Sequence, residues 1–163
     1  MLNKNLELII KFLQKNKQNI AIVESCTGGL LNYQFSRISG ASSVYRGGII
    51  SYQSEIKSKI LGIEESIIQK HSPYSFIVLD LMLKGVIEKL DSTFAIATSG
   101  IAGPNGGTKD NKVGSIYIGI QKRGSESIMT KEIFSGEREQ IQGEATNYAI
   151  NFFAKHFVPK YFN

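Results

Sequence analysis

The sequence is poor in cysteine, histidine and proline and has no tryptophan, and these shortages exclude several classes of protein. Its 163 residues include one cysteine, Cys26, so no disulfide can form within the chain, which fits a reducing compartment. Three prolines and sixteen glycines exclude a collagen-like or proline-rich disordered chain. With 42% hydrophobic and 20% charged residues, the composition is that of a globular protein.

Long hydrophobic runs are also missing. The longest, such as residues 76–79, fall far short of the roughly 20 residues that cross a bilayer. Residues 1–17 lack the apolar segment of a secretory signal. The length is typical of a single domain. We therefore expect one cytoplasmic domain over residues 1–163 with no membrane partner.

The charge is mildly basic and evenly spread. Nineteen Lys and Arg against fourteen Asp and Glu give a net charge of +5. The basic residues form no stripe, and no nucleic-acid-binding module accompanies them, so a solvated surface explains them. We expect no nucleic-acid partner, although a phosphorylated small molecule would suit this surface.

Common cofactor and metal motifs are absent. No two glycines are separated by one residue, which excludes the dinucleotide-binding fingerprint. Ser125 follows the Gly119 and Gly124 pair where a Walker A motif needs lysine. His71 and His156 have no metal-ligand partners at suitable spacing and lie near no loop of interest, so neither a metal site nor a Ser-His-Asp triad is supported.

Hydrophobic spacing predicts strands that alternate with helices. Helices are expected at residues 3–17, from about 29, at 54–61, at 64–70, after a Ser75 N-cap, and from about 137. Strands are expected at residues 20–23, 45–52, 94–98, 113–121 and 127–134, the last two as a hairpin. Gly47 and Gly48 indicate a bulge or a close backbone approach. The pattern predicts a three-layer α/β/α domain with a mixed sheet, whose ligands bind beyond the carboxyl ends of strands.

The first glycine-rich segment, residues 25–29, follows a predicted strand and begins a helix. Main-chain N–H groups of Thr27, Gly28 and Gly29 would be free there to stabilise an anion or an oxyanion. Ser25 is then a candidate nucleophile, and Lys57, if buried and neutral, a candidate base for it. The alternative is a simple tight turn with a helix cap. Cys26 is better explained as a small buried thiol than as a nucleophile.

The second glycine-rich segment, residues 98–108, follows another predicted strand. Its sequence TSGIAGPNGGT consists almost entirely of small residues. Such a composition suits a backbone wrapped around a ligand, and it suits a mobile surface loop equally well.

Both segments belong to a set of motifs that covers almost the whole chain. The set comprises ESCTGGL at residues 24–30, GAS at 40–42, GIISY at 48–52, Lys57, Leu61-Gly62, GIAGPNGGT at 100–108, VGSIYI at 113–118 and GER at 136–138. With these motifs in this order, the sequence resembles the CinA C-terminal-domain family, the nicotinamide-nucleotide amidases.

The resemblance implies an α/β fold and hydrolysis of the amide of nicotinamide mononucleotide to nicotinate mononucleotide and ammonia, with no metal and no cofactor. By motif position it implies Ser25 as nucleophile, Lys57 as general base and Tyr52 as an auxiliary group that tunes the lysine. The implied substrate site comprises Thr27, Gly28, Gly29, Ser42, Ser99, Gly100, Gly106, Gly107, Thr108 and Arg138. It further implies a homodimer. Longer family members carry an additional N-terminal domain, so this chain is expected to be a stand-alone form.

Some residues depart from the family pattern. Residues 72–76 (SPYSF) keep only the serine of the usual Gly-Ala-Val-Ser-Glu, and Lys112 replaces a proline. Glu137 replaces an aspartate, and Gln142 replaces an arginine that could contact phosphate. Two alternatives to the amidase therefore stay open. One is a nucleotide-binding or interaction module with weak catalysis, and the other is an accessory in competence or the DNA-damage response.

Overall fold

The computed structural model describes residues 4–160, which contain six α-helices and five strands. The helices are α1 (Lys4–Lys15), α2 (Leu30–Ser36), α3 (Ser54–Leu61), α4 (Glu65–His71), α5 (Phe76–Lys89) and α6 (Arg138–Phe157). The strands are β1 (Ile20–Glu24), β2 (Tyr45–Ile50), β3 (Phe94–Gly100), β4 (Ser115–Lys122) and β5 (Ile128–Ile133). Within residues 4–160, no helix combines the length and the apolar character that crossing a membrane requires.

The five strands form one mixed sheet in the order β2-β1-β3-β4-β5. Strand β1 runs parallel to both β2 and β3, whereas β4 is antiparallel to β3 and to β5. The β4–β5 pair is the predicted hairpin. Because β1 and β3 are parallel and adjacent, their carboxyl ends, Glu24 and Thr98, lie side by side.

Helices cover both faces of the sheet, which confirms the predicted three-layer architecture. On one face α1, α2 and α6 pack a core that includes Ile20, Ile22 and Ile96, and on the other α5 and its neighbours pack against Ala21 and Val23. Every residue of β1 and β3 is buried. Strands buried on both faces are continuously apolar rather than alternating, which explains the short apolar runs in the sequence.

The predicted element boundaries hold to within a few residues. Helix α1 ends at Lys15, before the predicted residue 17, because Lys17 adopts a left-handed conformation with φ +53°. Residue 3 of that predicted helix lies outside the described residues. Strand β2 ends at Ile50 rather than residue 52, since the chain turns there toward α3. The Ser75 hydroxyl caps α5 by accepting a hydrogen bond from the Val78 amide at 3.3 Å.

The Gly47-Gly48 pair marks both a bulge and a close approach. The β1–β2 register shifts by one residue, so that Ile20 pairs with Tyr45 and Ala21 pairs with Gly47. A Cβ atom on Gly48 would lie 1.7 Å from the Asn32 side-chain oxygen. Glycine at residue 48 therefore lets α2 pack closely against the edge strand.

Candidate active site

The structure brings Ser25 and Lys57 into direct contact. Ser25 follows the last residue of β1, and Lys57 lies in the first turn of α3. The Ser51 amide donates to the Glu24 carbonyl at 2.8 Å, which carries the chain across the end of β1 before α3 begins. The Lys57 Nζ atom then lies 3.2 Å from the Ser25 Oγ atom and donates to the Ser51 carbonyl at 2.6 Å.

Burial changes the acidity of this lysine. The side chain of Lys57 is 1% exposed, and no carboxylate forms an ion pair with it in the described part of the chain. Removing the ammonium group from water lowers the pKa of Lys57 from 10.5 to about 8, although the nearby Cys26 acts in the opposite direction. With a pKa of about 8, about a tenth of the lysine is neutral at pH 7 and able to accept a proton.

The carboxylate of Glu24 organises the turn that carries Ser25. This side chain is fully buried and accepts five hydrogen bonds. The donors are the Thr27 hydroxyl, the amides of Gly29, Leu31 and Asn32 at 3.1, 3.2 and 2.7 Å, and the Asn32 side-chain amide. Glu24 therefore supplies the anion at the start of α2, a role that the sequence analysis did not assign to it.

This arrangement corrects one expectation about the turn. The Gly28 amide donates to the Ser25 carbonyl at 3.1 Å and the Gly29 amide to Glu24, so neither N–H group is free as predicted. Thr27 is buried, and its hydroxyl contacts Glu24 and Thr98 rather than the cavity. Over residues 4–160, no main-chain carbonyl accepts a hydrogen bond from the amide of Cys26 or Thr27. Both amides face the Cys26 thiol, whose pKa they act to lower.

A cavity of about 120 Å³ opens above Ser25, at the carboxyl ends of β1 and β3. Its lining residues are Ser25, Cys26, Tyr52, Tyr74, Gly100, Ile101, Ala102, Gly103, Asn105, Gly106 and Arg138. The cavity thus lies where the sequence predicts that ligands bind, beyond the carboxyl ends of these strands. Five of the residues named from the sequence line it, namely Ser25, Tyr52, Gly100, Gly106 and Arg138.

Arg138 and Tyr52 meet at the rim of this cavity. The Arg138 guanidinium donates to the Gly103 carbonyl at 2.6 Å and to the Tyr52 hydroxyl. It forms no ion pair with a carboxylate in residues 4–160. The Tyr52 side chain is 53% exposed, and its hydroxyl bonds to Arg138 rather than to Lys57. Tyr52 contacts the Ser25–Lys57 pair through its main-chain carbonyl, which accepts from Ser25 Oγ at 3.4 Å.

Other residues expected at the site lie elsewhere in this chain. Ser42 is exposed before β2, at the amino end of the strand, whereas Ser25 lies at the carboxyl end of the adjacent parallel strand. Ser99 is fully buried and its hydroxyl donates to the Pro73 carbonyl at 3.2 Å. The Thr108 amide donates to the Asn111 carbonyl at 2.7 Å, and Gly107 packs against Val113, so both support the loop. The expectation that these four residues line the cavity is not met within one chain.

The structure adds two cavity residues to those named from the sequence, and it gives Gln142, noted above only as a departure from the family pattern, a contact at the site. Tyr74 and Asn105 line the cavity, and Gln142 donates to the Cys26 carbonyl at 2.8 Å. Burial raises the pKa of Cys26 to about 12, which keeps it a thiol, as expected of a buried cysteine. One sequence feature pointed to Glu24, because an acidic residue at the end of a buried strand and before a helix start is suited to capping that helix.

No group of three or more His, Cys, Asp or Glu side chains in residues 4–160 is arranged to hold a metal ion. The functional groups at the cavity are the Ser25 hydroxyl and the Arg138 guanidinium, and the buried Lys57 amine contacts the Ser25 hydroxyl. This combination defines a candidate serine–lysine hydrolase site.

Comparison with known proteins agrees with the fold and with the motifs. The chain belongs to the CinA C-terminal domain family, whose model matches residues 3–157. It is 41% identical over 146 residues to a CinA-like protein of Prochlorococcus marinus strain MIT 9515, and 33% identical over 150 residues to a CinA-like protein of Thermotoga neapolitana. These matches cover 88% and 92% of this chain but 34% and 36% of the relatives. The chain thus spans about a third of the length of these relatives.

Solved structures share the fold. A competence damage-inducible protein A (ComA) from Klebsiella pneumoniae superposes with a TM-score of 0.92 at 23% identity, covering 98% of both chains. A competence-damaged protein (CinA) superfamily protein from Escherichia coli gives 0.88 at 24% identity, covering 93% of this chain and 87% of the other. At these identities the likeness establishes a common architecture.

Proposed function

We propose that this chain is an amidohydrolase that cleaves the carboxamide of nicotinamide mononucleotide to nicotinate mononucleotide and ammonia. The observation that carries the proposal is the 3.2 Å contact between the Ser25 hydroxyl and a buried lysine amine. A lysine whose pKa is lowered to about 8 can act as a base near neutral pH, where an ordinary lysine cannot.

In the first half of the reaction, the Ser25 Oγ atom attacks the carboxamide carbon and its proton passes to the neutral Lys57 Nζ atom. The Ser51 carbonyl accepts an N–H of the same amine at 2.6 Å, which leaves the nitrogen lone pair free for the serine proton. When the tetrahedral intermediate collapses, the C–N bond breaks and Lys57 returns the proton to the departing ammonia.

In the second half, a water molecule attacks the acyl-enzyme ester while the neutral Lys57 accepts its proton. Collapse breaks the bond between the acyl carbon and Ser25 Oγ, and Lys57 gives the proton back to the serine. The products are a carboxylic acid and the free enzyme. The amine is regenerated in each half, so no external acid or base is needed.

The amides of Cys26 and Thr27 are the proposed donors to the oxyanion. Both immediately follow the nucleophile, and neither donates to a main-chain carbonyl in residues 4–160. Two N–H groups beside the nucleophile are the usual means of stabilising negative charge on the carbonyl oxygen.

Arg138 is the proposed partner of the substrate phosphate. It is a charged residue on the cavity rim, its two hydrogen bonds go to neutral oxygens, and it forms no ion pair within the described residues. The cavity of about 120 Å³ is smaller than the roughly 300–1,000 Å³ of sites that enclose a whole drug-sized ligand. We therefore propose that the cavity takes the amide-bearing ring and that the phosphate remains at the rim.

The test is ammonia release from nicotinamide mononucleotide by the purified chain. Ser25→Ala and Lys57→Ala are each expected to lower kcat by more than about 1,000-fold, because each removes one half of the nucleophile–base pair. Ser66→Ala, an exposed serine on α4, is the matched control and keeps wild-type activity. Wild-type turnover by Ser25→Ala would exclude Ser25 as the nucleophile.

A second candidate is a nucleotide-binding module with little turnover. The engaged amides of Gly28 and Gly29 favour it, because they reduce the number of donors available to an oxyanion. Calorimetry distinguishes the two functions: saturable binding of the mononucleotide without any ammonia release would support the module.

We also propose that the chain works as a homodimer, as its family resemblance implies. Light scattering at assay concentration tests this, with twice the 18.0 kDa mass of one chain expected. A monomer with full activity would contradict it.

A further inference from the structure

We propose that Gln142 is a positioning residue that aligns the Thr27 amide as an oxyanion donor. This inference rests on the proposed function, because it assigns a role in the same acyl-transfer site. Gln142 lies one helical turn after Arg138 in α6, and its side-chain amide donates to the Cys26 carbonyl at 2.8 Å. The contact joins residues 116 positions apart in the sequence.

The peptide unit between Cys26 and Thr27 makes this contact consequential. Its atoms lie in one plane, and in a trans peptide the carbonyl and the N–H point in opposite directions. Anchoring the Cys26 carbonyl on Gln142 therefore fixes the direction of the Thr27 N–H. That N–H interacts with the thiol of Cys26, and Cys26 is a residue that lines the cavity, so the anchor holds the donor beside the place where the oxyanion is proposed to form.

The same contact strengthens the donor. A carbonyl that accepts a hydrogen bond polarises its peptide unit, so the N–H at the other end becomes a better donor. The neutral side chain of Gln142 does this without bringing a charge into the turn. Glu24 acts at the other end of the same turn, where it fixes the amides of Gly29 and Leu31.

Other contacts fix the nucleophile without aligning this peptide unit. The Ser25 amide donates to the Thr98 carbonyl at 2.9 Å, and the Ser25 carbonyl accepts from Gly28 at 3.1 Å. Loss of the Gln142 contact would leave the nucleophile in place and free the peptide unit between Cys26 and Thr27 to rotate. The effect is therefore expected in the chemical step rather than in substrate binding.

The first experiment replaces Gln142 with methionine, which keeps the side-chain length and removes the donor. Gln142→Met is expected to lower kcat for nicotinamide mononucleotide by about 10- to 100-fold with KM nearly unchanged, since losing one oxyanion donor outright costs about 100- to 1,000-fold. Gln14→Met is the matched control. The side-chain amide of Gln14 likewise joins a helix to a loop, since it donates from α1 to Gly40 and Ser43. This contact lies before β2, at the amino end of the strands and away from Ser25.

The second experiment uses Gln142→Glu and compares its kcat with that of the wild type at each pH. Below the pKa of the new carboxyl group, its O–H can donate to the Cys26 carbonyl, whereas the ionised form repels that oxygen. The ratio of variant to wild-type kcat is expected to rise by about 10-fold from pH 8 to pH 5.5. A residue with a merely structural role would lower the melting temperature and leave this ratio flat.

A third measurement needs no knowledge of the substrate. Phenylmethanesulfonyl fluoride sulfonylates an activated serine: the bond from Ser25 Oγ to sulfur forms, the S–F bond breaks, fluoride leaves and Lys57 takes the proton. Intact-mass measurement is expected to show Gln142→Met modified at least about 10-fold more slowly than wild type and Ser25→Ala unmodified.

These results separate the two proposals. A wild-type chain that hydrolyses no amide overturns the proposed function alone, because sulfonylation still measures the positioning effect. Equal kcat in wild type and Gln142→Met, equal sulfonylation rates, or no sulfonylation of Ser25 in either protein would each overturn the role of Gln142.

Discussion

Changing the pH of the assay tests whether Lys57 acts as the base. The reaction as proposed needs the neutral amine, and burial lowers the pKa of Lys57 from 10.5 to about 8. Activity is therefore expected to increase with pH as the ammonium loses its proton, and to level off once the amine is fully neutral. The sign is fixed by the mechanism, because only the deprotonated form can accept the Ser25 proton.

The size of the effect follows from the two pKa values. With a pKa of about 8, the neutral fraction is roughly 10% at pH 7, 50% at pH 8 and 90% at pH 9, a rise of about 10-fold that then stops. With the ordinary value of 10.5, the neutral fraction would rise about 100-fold over the same interval and continue to rise beyond it.

The assay is the initial rate of ammonia release at saturating and at low substrate, from pH 6 to about pH 10, on enzyme whose fold is checked by circular dichroism at each pH. A plateau above about pH 9 in kcat/KM is expected for the free enzyme. Two outcomes would refute the reasoning: a profile that is flat from pH 6 to about pH 9, or one that climbs with unit slope through about pH 10.

Three further predictions address the stability and selectivity of the site. Lys57→Met is expected to stabilise the folded chain by about 2 kcal/mol at pH 7. Removing a buried amine whose pKa is lowered by folding stabilises the folded chain, and leaving the Ser51 carbonyl without its donor offsets part of that gain. At Lys57, the unfolded chain binds more protons than the folded chain between about pH 8 and 10.5, so the wild-type chain gains stability as pH rises through that window. The extra stability of Lys57→Met should therefore vanish over the same window, and urea unfolding of both proteins at pH 7 and pH 10.5 measures it. Arg138→Gln is expected to raise KM for nicotinamide mononucleotide by about 10- to 100-fold and to leave hydrolysis of free nicotinamide unchanged in steady-state kinetics, and equal effects on both amides would contradict a phosphate contact. Gly48→Ala is expected to lower the free energy of unfolding by about 1–3 kcal/mol, because its Cβ atom meets the Asn32 side chain. Gly143→Ala, within α6 and with open space around it, is expected to raise the free energy of unfolding by up to about 1 kcal/mol. Urea unfolding measures both, and an unchanged stability of Gly48→Ala would contradict the close approach of α2 to β2.

Local patterns in the sequence were enough to predict the architecture. The apolar spacing of α1 and the short apolar runs of β1 and β3 follow directly from which faces are buried. The meeting of Ser25 and Lys57 was also predictable, because both follow strands that end at the same edge of the sheet. Two motifs that follow parallel strands can therefore be placed near each other even when the rest of the packing is unknown.

The distribution of hydrogen bonds in the site could not be predicted in the same way. The amides of Gly28 and Gly29 looked free in the sequence, yet the Ser25 carbonyl and Glu24 satisfy them once the turn has formed. The contact of Gln142 with Cys26 depends on how α6 packs across the sheet, which no local pattern reports. Ser42 is a case in which the family motif misled. Its motif position implied a site residue, but within one chain it lies before β2, at the amino end of the strands and away from Ser25.

Acid quenching during turnover of nicotinamide mononucleotide, followed by mass spectrometry of the peptides, tests the central claim most directly. The peptide that contains Ser25 is expected to gain the mass of the substrate less ammonia in the wild-type chain, and to stay unmodified in Ser25→Ala, which releases no ammonia. Ammonia release at the normal rate from Ser25→Ala, with no acylated peptide in either protein, would contradict nucleophilic attack by Ser25.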